Sequence, residues 1–287
     1  MTDTQSLSIT ILGVGAMGSR VARRLLGAGH SVAVYNRSAA PAEALAGEGA
    51  RVADHPRAAV EGADLVLSFL TDDAASEAVW LKGAHPARAG LRPGVAILES
   101  STVTVGWTQE LAGQLASTGA EFGDAPVVGS RPQAEAGQLV FLVGGSEGLV
   151  ARLSPLEVCG TLRHVGPVGA GATLKLGVNA LFAQQVAGLS EILGALEKAG
   201  LERSVAVEHL STMAVTSPAL KGIAALIAKG AFAPLFPVDL VEKDLGYALR
   251  LGGDAPMTEA ARGVFQKAQA RGWGDLNING VARLYLE

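Results

Sequence analysis

Lys175 and Asn179 are the two residues of this chain whose types and spacing most directly indicate chemistry. They stand four residues apart, about one helical turn, so both side chains project from the same face of a predicted helix. The segment from Ala172 to Phe182 around them is largely apolar. An ammonium and an amide in such surroundings suit a proton donor and the group that orients it. A lysine lying along an apolar helix edge is the alternative that these residues alone leave open.

A glycine-rich segment near the amino terminus predicts a cofactor site. Gly13-Val14-Gly15-Ala16-Met17-Gly18 follows an apolar strand and precedes a helical pattern, the context in which a G-x-G-x-x-G sequence is meaningful. The first glycine permits a tight turn, the second lets the backbone approach a pyrophosphate, and the third lets helix and strand pack closely. We therefore predict dinucleotide binding, with contacts at Gly13, Gly15, Ala16, Met17 and Gly18.

The end of the second predicted strand indicates which dinucleotide is preferred. About 20 residues after the glycines, an NAD enzyme usually presents Asp or Glu to the ribose hydroxyls. This chain instead has Asn36, Arg37 and Ser38. A guanidinium can hold a 2′-phosphate through charge-assisted hydrogen bonds, which favours NADPH while leaving NADH possible. A solvated surface arginine is the simpler interpretation of Arg37.

The order of elements predicts an α/β Rossmann-type dinucleotide-binding domain over residues 1–167. Short β-rich runs alternate with helical patterns, as in βαβ units with a parallel sheet. Two further runs, each ending at glycine, predict additional strands of the same sheet. The predicted strands are Ser8–Leu12, Ser31–Tyr35, Asp64–Phe69, Val95–Glu99, Glu121–Val127, Leu139–Val143 and Leu162–Val165.

An all-α helical domain is predicted over residues 168–287, because only helical periodicity follows Gly171. The glycines and Pro167 of the segment 166–171 form a turn from which a long helix can run to about Lys198, where Gly200 ends it. Later helices are predicted over Ser204–Val215, Ser217–Ala228, Leu240–Leu251 and Met257–Arg271.

Composition excludes several classes of function. The chain of 287 residues is 49% hydrophobic and 17% charged, which predicts a globular protein with a large core. Its net charge of −4, without a basic cluster, argues against a nucleic-acid partner. No apolar stretch reaches the roughly 18 residues of a membrane span, and the polar amino terminus lacks the features of a secretory signal. We expect a cytoplasmic protein with no membrane partner.

Cys159 is the single cysteine, so no intramolecular disulfide can form. Its place just before a predicted strand favours a structural thiol over a nucleophile. We also predict no metal ligand set.

Together, these motifs resemble the β-hydroxyacid dehydrogenase family, which includes 3-hydroxyisobutyrate dehydrogenase and the glyoxylate/succinic semialdehyde reductases. The resemblance covers nearly the whole chain and implies a small carbonyl or hydroxyacid substrate. The matching pieces are the segment 13–18, Ser100-Ser101-Thr102-Val103, the segment 124–130, Gly169-Ala170-Gly171 with Lys175 and Asn179, and Phe236 with Lys243-Asp244.

The resemblance also implies roles for individual residues. Lys175 would be the catalytic acid/base, and Asn179 would orient it or the substrate oxygen. Thr102 would lie near the nicotinamide, and Lys243 would approach the cofactor. Further implied contacts are Leu70 and Thr71 for the cofactor, and Val128, Gly129, Ser130, Phe236 and Asp244 for the substrate.

Details of the motifs favour one branch of the family. The Gly129-Ser130 pair and the Asn-Arg-Ser end of the second strand look more like the NADPH-using semialdehyde and glyoxylate reductases. These enzymes reduce a small aldehyde or keto acid to the hydroxyacid, reversibly. Val128 departs from the pattern, because the family usually has a serine there that helps to hold the substrate carboxylate.

Three alternatives remain open at this point. The first is an NAD(P)-dependent 3-hydroxyisobutyrate-type dehydrogenase. The second is an imine reductase-like enzyme, although that group usually replaces the lysine by Asp or Tyr. The third, of a different class, is a non-catalytic cofactor-binding interaction module, whose known examples lose the lysine. By analogy with the family, a homodimer or homotetramer is expected.

Overall fold

The structure, a computed structural model, describes residues 6–286. The polar residues 1–5, on which the prediction of no secretory signal rests, lie outside the described residues, as does Glu287. The chain divides into two compact units, Met1–Lys175 and Leu176–Glu287. This division falls inside a helix, whereas the predicted boundary after residue 167 precedes that helix and stays a prediction.

The first unit contains a mixed sheet built on a parallel core. The bounds of its strands are β1 Ser8–Leu12, β2 Ser31–Tyr35, β3 Arg51–Val52, β4 Leu65–Ser68, β5 Ala96–Glu99, β6 Glu121–Asp124, β7 Val127–Val128, β8 Leu139–Gly144 and β9 Gly160–Gly166. Within residues 6–286 the strand order is β3-β2-β1-β4-β5-β6-β8-β7, with β9 paired to β8. The first six strands follow the doubly wound order 3-2-1-4-5-6 of dinucleotide-binding domains, which confirms the predicted fold class.

The predicted strand Glu121–Val127 is wrong in its second half. β6 ends at Asp124, and the chain resumes pairing as β7, which runs antiparallel to β8 through Val127 and Val128. Pro126 lies in the gap and has no amide hydrogen to donate to a ladder, so it interrupts the strand. Asp124, the last residue of β6, is paired with Glu99 of β5 and with Gly144 of β8.

The central strands are buried on both faces, which explains why they read as continuous apolar runs. On β4, Leu65 and Leu67 belong to one core cluster and Val66 to another. The helices that cover this sheet are α1 Gly18–Gly27, α2 Ala39–Ala46, α3 Pro56–Val60, α4 Asp73–Trp80, α5 Val105–Leu115, α6 Arg131–Ala136 and α7 Glu147–Ala151. Cys159 is packed in the first cluster, and burial raises the pKa of its thiol to about 12, as fits a structural residue.

The second unit is mostly helical over its described residues, as predicted, with one isolated β-bridge between Pro237 and Asn277. The remaining helices are α8 Ala170–Lys198, α9 Arg203–Thr212, α10 Pro218–Ala228, α11 Val238–Ala248, α12 Pro256–Ala270 and α13 Arg283–Leu286. α8 has 29 residues, and its buried face packs in one core with α11 and α12 through residues such as Leu193, Leu245 and Phe265. Across residues 6–286, no helix combines the length and the apolar character needed to cross a membrane.

Candidate active site

The glycine-rich segment forms a cradle at the carboxyl end of β1. Gly13 has a φ of +92°, and a Cβ there would collide with the carbonyl oxygen of Phe69. A Cβ on Gly18 would collide with the carbonyl oxygen of Gly13. Gly15 differs, because it is exposed and a Cβ on it would meet no atom within 4 Å. The first and third glycines thus serve the turn and the helix packing, while the second leaves an open backbone surface that fits a pyrophosphate.

Asn36 has a structural task that the sequence did not indicate. Its Oδ1 accepts a hydrogen bond from the amide of Val14 at 3.1 Å, and its Nδ2 donates to the carbonyl of Ser38 at 2.9 Å. The side chain therefore ties the glycine-rich loop to the end of β2. Arg37 and Ser38, which follow it, are exposed.

The ends of β4 and β5 carry the next predicted cofactor residues. The amide of Leu70 donates to Oγ of Ser101 at 2.7 Å, so the loop after β4 is bonded to the loop after β5. Thr71 is exposed and Thr102 is half-buried. Ligands of open α/β sheets bind at the carboxyl ends of the strands, so these loops flank the same edge as the glycine cradle.

The predicted substrate residues of the first unit lie where β7 gives way to α6. Val128 pairs with Val140 on β8 and is half-buried. Gly129 has a φ of +120°, a conformation that favours glycine. Ser130 is the N-cap of α6 and forms a capping box, in which its amide donates to Oε1 of Gln133 at 3.0 Å. In the same capping box the Ser130 hydroxyl accepts a hydrogen bond from the backbone amide of Gln133, so both polar groups of the serine are engaged by the helix.

Asp124 anchors the first turn of α8, a role that the sequence did not reveal. Its Oδ1 accepts from the amide of Gly169 at 2.7 Å and its Oδ2 from the amide of Ala172 at 2.6 Å. A carboxylate at a helix N-terminus also interacts favourably with the helix dipole. A Cβ on Gly144 or on Gly171 would collide with the oxygens of this carboxylate, so a residue without a side chain is needed at both positions. The beginning of the helix that carries Lys175 is thus bonded to the sheet.

The stability of the protein is expected to reflect the titration of Asp124. Burial raises the pKa of this carboxyl from 3.8 to about 6, against the lowering effect of the two amides. A carboxyl whose pKa is higher in the folded state contributes most below its unfolded pKa, and the contribution is lost as pH rises through about 6. The free energy of unfolding of wild type minus that of Asp124→Asn should therefore decrease as the pH rises from about 4 to about 7. Urea unfolding of both proteins measures this difference, and a difference independent of pH would contradict the assignment.

Lys175 and Asn179 occupy the same helix, α8, one turn apart as predicted. Their side chains are 9% and 7% exposed. Within the second unit, Nδ2 of Asn179 donates to Oδ2 of Asp244 on α11 at 2.6 Å, and Asp244 is 2% exposed. Lysine and asparagine side chains are seldom this buried without a partner or a function. The bond to Asp244 fixes the orientation of the asparagine amide.

Lys243 and Phe236 complete the predicted residues of the second unit. Nζ of Lys243 lies 2.8 Å from Oδ1 of Asp244, at ion-pair distance. It also lies 4.6 Å from the centroid of the Tyr247 ring. Phe236 is held through its amide, which donates to Oδ1 of the buried Asn277 at 2.9 Å. A series of polar contacts thus runs from Lys243 and Asp244 on α11 to Asn179 on α8.

Two family models together match most of the chain. Residues 8–166 match the NAD-binding domain of 6-phosphogluconate dehydrogenase, and residues 169–285 match the NAD-binding domain of NADP-dependent 3-hydroxyisobutyrate dehydrogenase. The chain belongs to the β-hydroxyacid dehydrogenase family. The β-hydroxyacid dehydrogenases are NAD(P)-dependent oxidoreductases acting on CH–OH groups, so the predicted enzyme class and nicotinamide cofactor are confirmed.

Relatives within the β-hydroxyacid dehydrogenase family match over almost the full chain. Glyoxylate/succinic semialdehyde reductase 2 of Arabidopsis thaliana is 33% identical over 96% of this chain and 78% of its own length. Glyoxylate/succinic semialdehyde reductase 1 of the same plant is 31% identical over 96% of this chain and 97% of its own. Among solved structures, 3-hydroxyisobutyrate dehydrogenase of Mycobacterium tuberculosis has a TM-score of 0.88 and 28% identity, covering 98% of this chain and 99% of that one.

Proposed function

We propose that this protein is an NADPH-dependent reductase that converts a small aldehyde or keto acid, of the semialdehyde or glyoxylate type, into the hydroxyacid, and that the reaction is reversible. The proposal rests chiefly on the buried Lys175, one turn before an asparagine whose amide is fixed by Asp244. The names of the two plant relatives support the substrate class.

Lys175 is the proposed proton donor. Hydride addition to a carbonyl develops negative charge on the oxygen, and an ammonium beside that oxygen stabilises the charge and delivers the proton. Because Nδ2 of Asn179 is bonded to Asp244, its Oδ1 is the atom that can accept a hydrogen bond from the ammonium. We assign Asn179 to the orientation of Lys175, and Asp244 to the orientation of Asn179. In the reverse direction, the neutral amine accepts the proton of the hydroxyacid.

The cofactor, when bound, supplies the hydride. The glycine cradle holds the pyrophosphate, and Arg37 pairs with the 2′-phosphate in the place where an NAD enzyme has an acid. Leu70, Thr71 and Thr102 would border the nicotinamide half, and Lys243 is a further proposed cofactor contact. Ala16, Met17, Asn36 and Ser38 complete the proposed cofactor contacts.

The acid end of the substrate is assigned to Val128, Gly129 and Ser130, and Phe236 is a further proposed substrate contact. Because the capping box engages both the hydroxyl and the backbone amide of Ser130, the backbone amide of Gly129 is the first choice for the carboxylate. Val128 contributes methyl groups where relatives have a hydroxyl. This arrangement favours longer or less polar carbonyl compounds over very small acids.

Val128→Ser should lower the KM for glyoxylate and other small acids. The restored hydroxyl adds one hydrogen bond, and about 0.5 to 1.5 kcal/mol corresponds to roughly 2- to 10-fold in KM. Steady-state kinetics with glyoxylate and with a longer semialdehyde measure the change in preference. Val128→Ala is the matched control, because it shortens the side chain without adding a hydroxyl. A low KM for glyoxylate in wild type, unchanged in Val128→Ser, would remove position 128 from the substrate site.

A panel of carbonyl compounds tests the proposed function. Oxidation of NADPH and of NADH is followed with succinic semialdehyde, glyoxylate, longer semialdehydes, keto acids and cyclic imines, and the reverse reaction with 3-hydroxyisobutyrate. Turnover of 3-hydroxyisobutyrate alone would favour the hydroxyisobutyrate-type dehydrogenase, and turnover of cyclic imines alone an imine reductase. Tight NADPH binding without turnover of any compound would indicate a non-catalytic cofactor-binding module.

A homodimer or homotetramer is part of the proposal. Leu181 and Ile192 on α8 are 59% and 50% exposed, which is unusual for large aliphatic side chains on one helix. A second copy of the chain would cover them. Light scattering after size-exclusion chromatography measures the oligomeric state. The cytoplasmic location stays a prediction.

A further inference from the structure

Glu99 is a buried acid that the proposed reaction does not use. It is the last residue of β5, and its exposed fraction is 0%. Oε2 accepts a hydrogen bond from Oγ of Ser76 at 2.6 Å and a longer one from Nε1 of Trp80 at 3.3 Å, both on α4. Oε1 accepts from the amide of Ser101 at 3.0 Å. Burying a carboxyl so completely is costly, and such groups persist where several donors converge on them.

The contacts of Glu99 lead directly to the loops at the cofactor edge. Ser101, whose amide bonds to Glu99, holds the amide of Leu70 through its Oγ at 2.7 Å. The same hydroxyl lies 3.3 Å from the carbonyl oxygen of Ser68, the last residue of β4. One acid thus connects the start of the loop after β5 with the start of the loop after β4. Burial raises the pKa of the Glu99 carboxyl, while the converging donors lower it in part.

We propose that Glu99 is a positioning residue for the nicotinamide half of the cofactor, acting through Ser101 on the loop that contains Leu70 and Thr71. Glu99 does not touch the cofactor. It sets the spacing of the two loops, and small displacements of such loops weaken binding because preorganisation is lost. The inference rests on the proposed placement of the nicotinamide beside these loops. The adenine half, at the glycine cradle and Arg37, depends on other contacts.

The test compares two ligands by calorimetry. NADPH spans both halves of the site, whereas adenosine 2′,5′-bisphosphate carries only the adenine half. In Glu99→Gln the amide cannot accept all the converging donors, so the Kd of NADPH should rise about 3- to 10-fold while that of the bisphosphate changes less than about 2-fold. Ser101→Ala keeps the backbone amide that bonds to Glu99 but removes the hydroxyl that holds the amide of Leu70, so it should give the same selective loss. Because both variants interrupt the same series of hydrogen bonds, the double variant should lose less NADPH affinity than the sum of the two single losses.

Thr10→Val is the matched control. Thr10 is buried in the same unit, and its hydroxyl donates to the carbonyl oxygen of Ala59 at 2.7 Å, away from these loops. It should lower the urea midpoint of unfolding without changing the ratio of the two dissociation constants. Equal losses for both ligands in Glu99→Gln, or no loss for either, would overturn the proposal, as would additive effects in the double variant. Wild type that binds NADPH but reduces no carbonyl would overturn the proposed function and leave this inference standing.

Discussion

Lys175→Ala should abolish nearly all turnover while NADPH binds with close to the wild-type affinity. The lysine is assigned to the reacting oxygen and not to the dinucleotide, so its loss removes the proton donor and the stabilisation of the developing charge. Loss of a general acid costs about 10²- to 10⁴-fold in kcat. Stopped-flow measurement of the hydride transfer step, together with the Kd of NADPH from fluorescence titration, separates the two effects. Asn179→Ala should lower kcat less than Lys175→Ala does, because the asparagine only orients the lysine.

Two further measurements make the result on Lys175 specific. Small alkylamines should restore part of the rate to Lys175→Ala, because they can supply an ammonium in the space left by the side chain. Lys221→Ala, which removes an exposed lysine on α10, should keep the wild-type rate. A fully active Lys175→Ala variant would show that another group delivers the proton, and a parallel loss of NADPH affinity would place the lysine in cofactor binding.

Arg37→Ala should narrow the preference of the enzyme for NADPH over NADH. Wild type is expected to have a higher kcat/KM with NADPH than with NADH. In the variant, kcat/KM with NADPH should decrease, mainly because the KM for NADPH rises. A charge-assisted contact contributes about 1.5 to 3 kcal/mol, or on the order of 10- to 100-fold. Steady-state kinetics with both cofactors at a saturating carbonyl concentration measure the change.

Arg23→Ala serves as the control for Arg37, since it also removes an exposed arginine of the first unit, one paired with Glu48 on the surface. It should leave the cofactor preference unchanged. Asn36→Asp should shift preference toward NADH, because it adds an acid near the ribose and keeps an oxygen for the amide of Val14. Equal use of NADPH and NADH by wild type would exclude the assignment of Arg37.

Local patterns were sufficient to predict the elements that carry the site. β1 and β2 have the predicted bounds, because each is an apolar run that ends where polar or glycine residues begin. α8 ends at Lys198 as predicted, where Gly200 with a φ of +91° provides the stop. The spacing of Lys175 and Asn179 is also a local property, and it is preserved in the helix.

Contacts between distant positions could not be predicted in the same way. Asp124 meets Gly169 and Ala172 across 45 and 48 residues of sequence, and Asn179 meets Asp244 across 65. An acid at the end of an apolar strand, such as Glu99, gives no local signal of the donors that will surround it. The break at Pro126 is visible in the sequence, because proline has no amide hydrogen to donate to the ladder, and the predicted strand over Glu121–Val127 wrongly runs through it.

The anchoring of α8 by Asp124 limits where this chain can gain or lose residues. In an α-helix each residue turns the chain by about 100°. The bonds to Gly169 and Ala172 fix the rotational phase of the helix three residues before Lys175. One residue inserted between Ala172 and Lys175 would therefore swing the lysine about a quarter turn around the helix axis. Insertions and deletions compatible with catalysis should instead be found beyond Lys198, in the connection that follows the last turn of α8.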